Sequence, residues 1–316
     1  MRATFVRALV EAAEHDERVV LLTGDLGFTV VEPFAERFPD RFFNVGVAEQ
    51  NMIGVATGLA EAGFVPFAYS IATFAAIRPF EFVRNGPVLH ELPVRVVGVG
   101  GGLEYGANGV THYALEDLAL MRTQPGLTVI APADHEQARA ALLTTAHVDG
   151  PVYFRLGKDE STVVPGLGGR FALGRAQPLG DPSEVMVVAV GPIAREAVGA
   201  VETLRASGVD AAAVVVSCVS PVPVDDLLDA FARAHLVVTV ESHYRTGGLG
   251  SLVSEVVAEH GLATRVVRCG LEAVPRVTGS ERYLNELHGI SADAIAAAAR
   301  GALEQSGNGT RSAVRR

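Results

Sequence analysis

The chain opens on a helical stripe, with Phe5, Val6, Leu9, Val10 and Ala13 recurring at helical spacing within residues 2–14. The apolar run 19–22 then reads as a buried strand closed by the turn Thr23-Gly24-Asp25. The same alternation continues through the first half of the chain. It predicts strands at 42–46, 64–68, 94–99, 128–131 and 152–155 and helices at 49–62, 74–84, 115–121 and 134–146. Continuous apolar strands separated by helices predict a mostly parallel sheet covered on both faces. From Leu156 to Pro182 glycines and prolines interrupt every pattern, which marks a linker. A second alternation follows, with strands at 185–190, 211–216, 236–240 and 264–268. Its helices are expected at 194–206, 224–233, 249–259, 281–287 and 291–304. The fold class is α/β, with two three-layer domains at 1–160 and 183–305, a linker at 161–182 and a disordered tail at 306–316.

A length of 316 residues with 49% hydrophobic content is enough for two cores. The net charge of −10 argues against a nucleic-acid partner, which needs a concentrated basic face. No apolar run reaches the roughly 18 residues of a membrane span. The first residues read as an amphipathic helix and not as a leader, so a cytoplasmic chain is expected. Cys218 and Cys269 lie far apart and form no CxxC, so neither a metal site nor a disulfide is expected of them. They read as buried apolar residues in a reducing compartment. Gly98-Val99-Gly100-Gly101-Gly102-Leu103 lacks the third glycine of a dinucleotide fingerprint, and no GK[ST], GxSxG or HExxH occurs. Hydride transfer, ATP hydrolysis and serine hydrolysis lose their main signatures.

Three clusters remain as candidate chemistry. Glu49 stands where the apolar strand at 42–46 gives way to a helix rich in small residues. A helix start favours negative charge. Phe42, Phe43, Val45 and Val47 before it, and Met52, Ile53 and Val55 after it, predict dry surroundings. A carboxyl group there needs a buried partner or a raised pKa; the alternative is a residue that decorates an exposed first turn. The second cluster is the glycine-rich loop 98–112, which follows the apolar strand of Val94, Val96, Val97 and Val99 and ends in His112. Open α/β sheets place ligands at this carboxyl edge, and an imidazole there can exchange protons or serve structure alone. The third is Phe67, Tyr69 and Phe74 followed by Arg78 and Arg84.

In this order and spacing the clusters resemble the pyrimidine-binding half of thiamine-diphosphate enzymes of the transketolase group. The matching stretches are TGDLG (23–27), NVGVAEQNMIGVATGLAEAG (44–63) and NGVTH (108–112). TVIAPAD (128–134), GPVYFRLGK (150–158) and VTVESHYRTGGLGS (238–251) extend the likeness over both domains. The resemblance implies that Glu49 hydrogen-bonds the cofactor's pyrimidine nitrogen and favours the imino tautomer that deprotonates the thiazolium carbon. It implies that Phe74 stacks on the pyrimidine. His112 would lie near the reacting carbon, and Asp25, Ile71 and Arg78 would lie at the cofactor. Lys158 and Arg2 fall near positions that hold a sugar phosphate. The GDG motif with a downstream asparagine, which binds diphosphate through Mg2+ or Ca2+, is absent. The resemblance therefore implies a split enzyme, with a partner chain supplying that half in an α2β2 assembly.

Departures from the family pattern concern the substrate. Gly100 replaces a substrate-binding histidine, Asn108 an aspartate, Ile71 an aromatic and Lys158 an arginine. The expected reaction is ketol transfer from a ketose or ketose phosphate to an aldehyde. A two-carbon transfer to a lipoyl-type carrier in secondary metabolism is an alternative. So are the β subunit of a 2-oxo-acid dehydrogenase and a non-catalytic structural subunit.

Overall fold

The structure is a computed structural model of the chain; it describes residues 1–313, with side chains to Gln305. In the first half come α1 (Arg2–His15), β1 (Val19–Thr23), α2 (Glu32–Arg37), β2 (Phe42–Asn44), α3 (Glu49–Glu61), β3 (Val65–Ile71), α4 (Ala72–Ala76) and α5 (Phe80–Val83). They are followed by β4 (Arg95–Val99), α6 (Asp117–Arg122), β5 (Thr128–Ile130), α7 (His135–Thr145) and β6 (Val152–Leu156). The second half holds β7 (Gln177–Leu179), β8 (Val185–Ala189), α8 (Ala194–Ala206), β9 (Ala211–Val215), β10 (Cys218–Ser220) and α9 (Val224–Phe231). It closes with β11 (Leu236–Tyr244), α10 (Leu249–Glu259), β12 (Arg265–Leu271), α11 (Glu281–Leu287) and α12 (Ala292–Ala313).

The first sheet has the order β10-β5-β6-β4-β3-β1-β2 and the second β12-β11-β8-β9-β7. Both are parallel except at one edge, where β10 runs antiparallel to β5 and β7 antiparallel to β9. All five residues of β1, β4, β6, β8 and β9 are buried, and these strands read as mostly apolar runs in which Arg95 of β4 and Arg155 of β6 are the charged exceptions. The predicted stripe of α1 is buried at Phe5, Val6, Leu9 and Ala13, and α1 packs with α7 on one face of the first sheet. Full burial of each large side chain contributes about 1.5–3 kcal/mol. The opposite face shares one apolar cluster with the second domain: Met52, Leu118 and Met121 belong with Val188, Leu249 and Leu252.

Some sequence expectations change. The helix expected at 74–84 is broken between α4 and α5, where Pro79 supplies no backbone donor. The stretch expected as linker contains β7, which pairs with β9. The chain then returns through β10 to the edge of the first sheet, with Cys218 opposite Ile130. The tail expected at 306–316 is a continuation of α12 as far as Ala313, and 314–316 lie outside the described residues. Cys218 and Cys269 are buried free thiols, and burial pushes each up to about 11. No helix among the described residues is long and apolar enough to cross a membrane.

A buried polar junction fixes the two domains against each other. Arg155 on β6 pairs with Asp117 at the start of α6 (2.8 Å), and both side chains are essentially solvent-free. The same guanidinium donates to the carbonyls of Ala114 and Ser242, and Tyr153 donates its hydroxyl to Asp117. Beside it, Glu241 on β11 accepts the backbone N–H groups of Leu249 and Gly250 at the start of α10. Burial pushes the Glu241 carboxyl up to about 7 and holds the neighbouring His243 down to about 4.

Candidate active site

Residues from the three clusters meet at the carboxyl edge of the first sheet. Glu49 is the first residue of α3, and its side chain is 2% exposed. Its carboxylate turns inward from the helix to two donors. The guanidinium of Arg78 lies 2.9 Å from Oε2, and the hydroxyl of Ser70 near the end of β3 lies 3.3 Å from Oε1. A Cβ on Gly24 would lie 3.6 Å from Oε1, so the turn after β1 also packs closely against this carboxylate. The dry surroundings predicted for Glu49 exist on the protein side only. Met52 and Ile53 are buried, but Val47 is 71% exposed and Phe43 and Val55 are each nearly 40% exposed. The short strand before Glu49 is thus an open rim.

Arg78 is anchored twice. Besides Glu49, it lies over the ring of Phe74, with the guanidinium carbon 3.9 Å from the ring centroid. Its side chain is 45% exposed, so one side of the ion pair opens to solvent. Phe74 in turn meets His112 edge-on, with centroids 5.3 Å apart. His112 Nδ1 is 3.0 Å from the hydroxyl of Thr111. The His112 ring lies 6.0 Å from that of Tyr105, and the ammonium of Lys158 lies 4.5 Å from the Tyr105 ring centroid. A continuous row therefore runs Glu49, Arg78, Phe74, His112, Tyr105, Lys158.

The glycine-rich loop makes this row possible. Gly102 has φ +69° and touches the second domain so closely that a Cβ would lie 2.2 Å from Ser242 Oγ. The Leu103 N–H donates to that same hydroxyl. The loop is thereby pinned on β11, with His112 against Phe74 and Tyr105 beside His112.

The other predicted residues lie around the row. Asp25 has φ +58° and is exposed; Asn44 accepts its N–H and donates to its carboxylate. Ile71 ends β3 half-buried, and Asn108 is exposed in the loop. Arg2 donates from Nε to the carbonyl of Lys158 at 3.1 Å and sits 3.8 Å from Glu160. Gly100 underlies the Tyr105 ring. Sequence reasoning missed Ser70 and Tyr105. A lone aromatic among the glycines of 98–112 was the available signal for Tyr105; Ser70 gave none.

Two family profiles cover most of the chain: "Transketolase, pyrimidine binding domain" matches residues 1–162 and "Transketolase, C-terminal domain" residues 174–295. A 6-deoxy-6-sulfo-D-fructose transketolase subunit of Clostridium sp. is 36% identical, covering 95% of this chain and 93% of that protein. The 1-deoxy-D-xylulose-5-phosphate synthase of Syntrophotalea carbinolica is also 36% identical, but this chain spans only 47% of its length. Among solved structures, a split-gene transketolase described as an inactive β4 tetramer superposes with a TM-score of 0.86 at 37% identity, over 96% of this chain and 98% of that one. With its two mostly parallel α/β sheets and both family domains in order, the chain belongs to the transketolase family, as one of its split subunits.

Proposed function

We propose that this chain is the smaller subunit of a two-chain, thiamine-diphosphate-dependent enzyme that transfers a two-carbon ketol unit from a ketose or ketose phosphate to an aldehyde or carrier acceptor. The observation that carries this reading is the one-sided environment of Glu49. Its carboxylate is buried against Ser70 and Arg78. The rim of Phe43, Val47, Val55 and Ile77 around it is bare. A partner that covers this rim and carries the diphosphate-binding half with its Mg2+ or Ca2+ would complete the site, in an α2β2 assembly.

The residues present fit the pyrimidine end of the cofactor. The slot between Glu49 and Phe74 is taken up by the guanidinium of Arg78, a flat group that donates N–H to Glu49 and lies on the Phe74 face. A pyrimidine ring makes the same two demands. When bound, thiamine diphosphate supplies the nucleophilic carbon and the electron sink for carbon–carbon cleavage. Glu49 then holds a proton at the ring nitrogen, with Ser70 fixing the carboxylate's orientation. Phe74 sets the plane of the ring, and Arg78 swings out along its solvent-exposed side to admit it. His112 hydrogen-bonds substrate oxygens at the reacting end. Lys158 and Arg2 bring positive charge to the far end, in keeping with the sulfonated sugar named for the Clostridium relative.

The test is a titration of thiamine diphosphate with Mg2+ into this chain alone and into its complex with the subunit that copurifies with it. Binding in the complex only, with transfer of a ketol unit from a ketose phosphate to an added aldehyde, is expected. Tight binding to the isolated chain would sink the two-chain reading. Turnover of a 2-oxo acid in place of a ketose would replace the ketol-transfer reading.

A further inference from the structure

Tyr105 has no role in the function proposed above, yet it occupies the middle of the site's distal half. It is half-buried in the glycine-rich loop, and burial raises its phenol pKa. Its ring edge stands where a side chain on Gly100 would have to go: a Cβ there would lie 2.1 Å from Tyr105 Cε2. Gly100 has φ +74°, so glycine suits the position on backbone grounds as well. The tyrosine ring and the missing side chain are complementary. This loop cannot hold Tyr105 in place and carry a histidine at position 100.

The ring's two neighbours give it a direction. The His112 ring centroid lies 6.0 Å from that of Tyr105, and the Lys158 ammonium lies 4.5 Å from the Tyr105 ring centre. Among the described residues Lys158 forms no ion pair with a carboxylate, and the Tyr105 hydroxyl makes no hydrogen bond. The backbone of Lys158 is anchored, since its N–H donates to Glu104 Oε2 and its carbonyl accepts from Arg2. The aromatic face is thus what positions the ammonium. An ammonium held on a ring and short of an anion can donate to a charged oxygen, and a phenol with no partner can bond a substrate hydroxyl.

We propose that Tyr105 is the specificity-determining residue of this site. It fills the space above Gly100, lies next to His112 and holds the Lys158 ammonium on its ring. The site thereby selects short ketoses whose anionic terminus reaches Lys158 while the reacting carbon lies at His112. This rests on the ketol-transfer reading.

The test uses the complex with the copurified partner and compares kcat/KM for five-, six- and seven-carbon ketose phosphates and their unphosphorylated counterparts. For Tyr105→Ala, KM for the best phosphate should rise on the order of 10-fold with kcat changed less than about 3-fold, and discrimination by length should collapse. The inhibition constant of inorganic phosphate should rise by a similar factor, about 10-fold, because Lys158 loses its platform. Tyr105→Phe should keep both the length ranking and the phosphate inhibition, since the ring remains. The affinity for thiamine diphosphate should stay at the wild-type value in both variants. If the wild-type complex turns over no ketose, the ketol-transfer reading fails and this assignment with it. If the wild type is active but Tyr105→Ala scales all substrates equally, or leaves them unchanged, Tyr105 alone loses its role.

Discussion

Two carboxylate–arginine pairs in this molecule share their chemistry and differ in exposure. Asp117 and Arg155 meet at 2.8 Å with 0% and 2% of their side chains exposed. Glu49 and Arg78 meet at 2.9 Å with 2% and 45% exposed. In the first pair the guanidinium is also used up by two carbonyls from different domains, so neither partner can leave without stranding a buried charge. In the second, the arginine can leave for solvent and the acid cannot. A pair sealed on both sides is a joint. A pair sealed only on the acid side is a socket, and the difference lies in what surrounds the arginine.

That contrast can be broken at either end. The largest effect is expected from Glu49→Gln in the assembled enzyme, where turnover should fall by at least about 100-fold while the melting temperature stays near that of the wild type. Undiminished turnover would leave Glu49 a buried structural carboxylate with no part in the chemistry. Asp117→Ala should act in the opposite manner. It leaves Arg155 buried and unpaired, so chemical denaturation should report a loss of about 3–5 kcal/mol. Arg78→Met should empty the socket without disturbing its walls and tighten thiamine diphosphate binding in the complex by about 3- to 10-fold, as read by calorimetry. Weaker binding would mean that Arg78 assists the cofactor directly.

A pH dependence is expected beside the joint. Glu241 titrates near 7 in the fold against an ordinary 4.5, because burial favours its neutral form. Its contribution is complete below about 4.5 and is lost as pH rises through about 7. His243 runs the other way: held down to about 4 from 6.5, it contributes fully above 6.5 and loses that as pH falls towards 4. Glu241→Gln should therefore gain stability relative to the wild type at about pH 8 compared with about pH 5, by roughly 1–3 kcal/mol in denaturant titrations. An identical difference at both pH values would remove Glu241 from the pH response.

The parts that were legible in the sequence are those whose signal is periodic. The strands β1, β4, β6, β8 and β9 are buried throughout and announce themselves as mostly apolar runs, interrupted only by Arg95 and Arg155 among charged residues. The strands β7 and β10 have three residues each and lie beside prolines, too short for any period to register. Glu49, Phe74 and His112 stood out in the sequence because residue type, position and family likeness agreed, and the structure brings them into one row. Tyr105 was missed because its importance depends on the space over Gly100, which no linear pattern reveals. The dryness around Glu49 was misread for a related reason. Val47 and Val55 are apolar as a buried residue would be, but in this chain they face outwards. Hydrophobicity along the sequence does not say whether a residue faces the core or the surface of its own chain.

The return of the chain through β10 to the first sheet also bears on the order in which the protein can be made. The edge of β5 is completed only by Cys218–Ser220, after β8 and β9 of the second sheet have been passed. A nascent chain that has emerged only as far as β6 carries a bare β5 edge, and such edges pair with whatever strand is nearest. The two halves of this subunit are therefore poor candidates for separate expression. The first half needs a segment of the second before its own sheet is finished, and a truncation near residue 160 should aggregate where the full chain remains in solution.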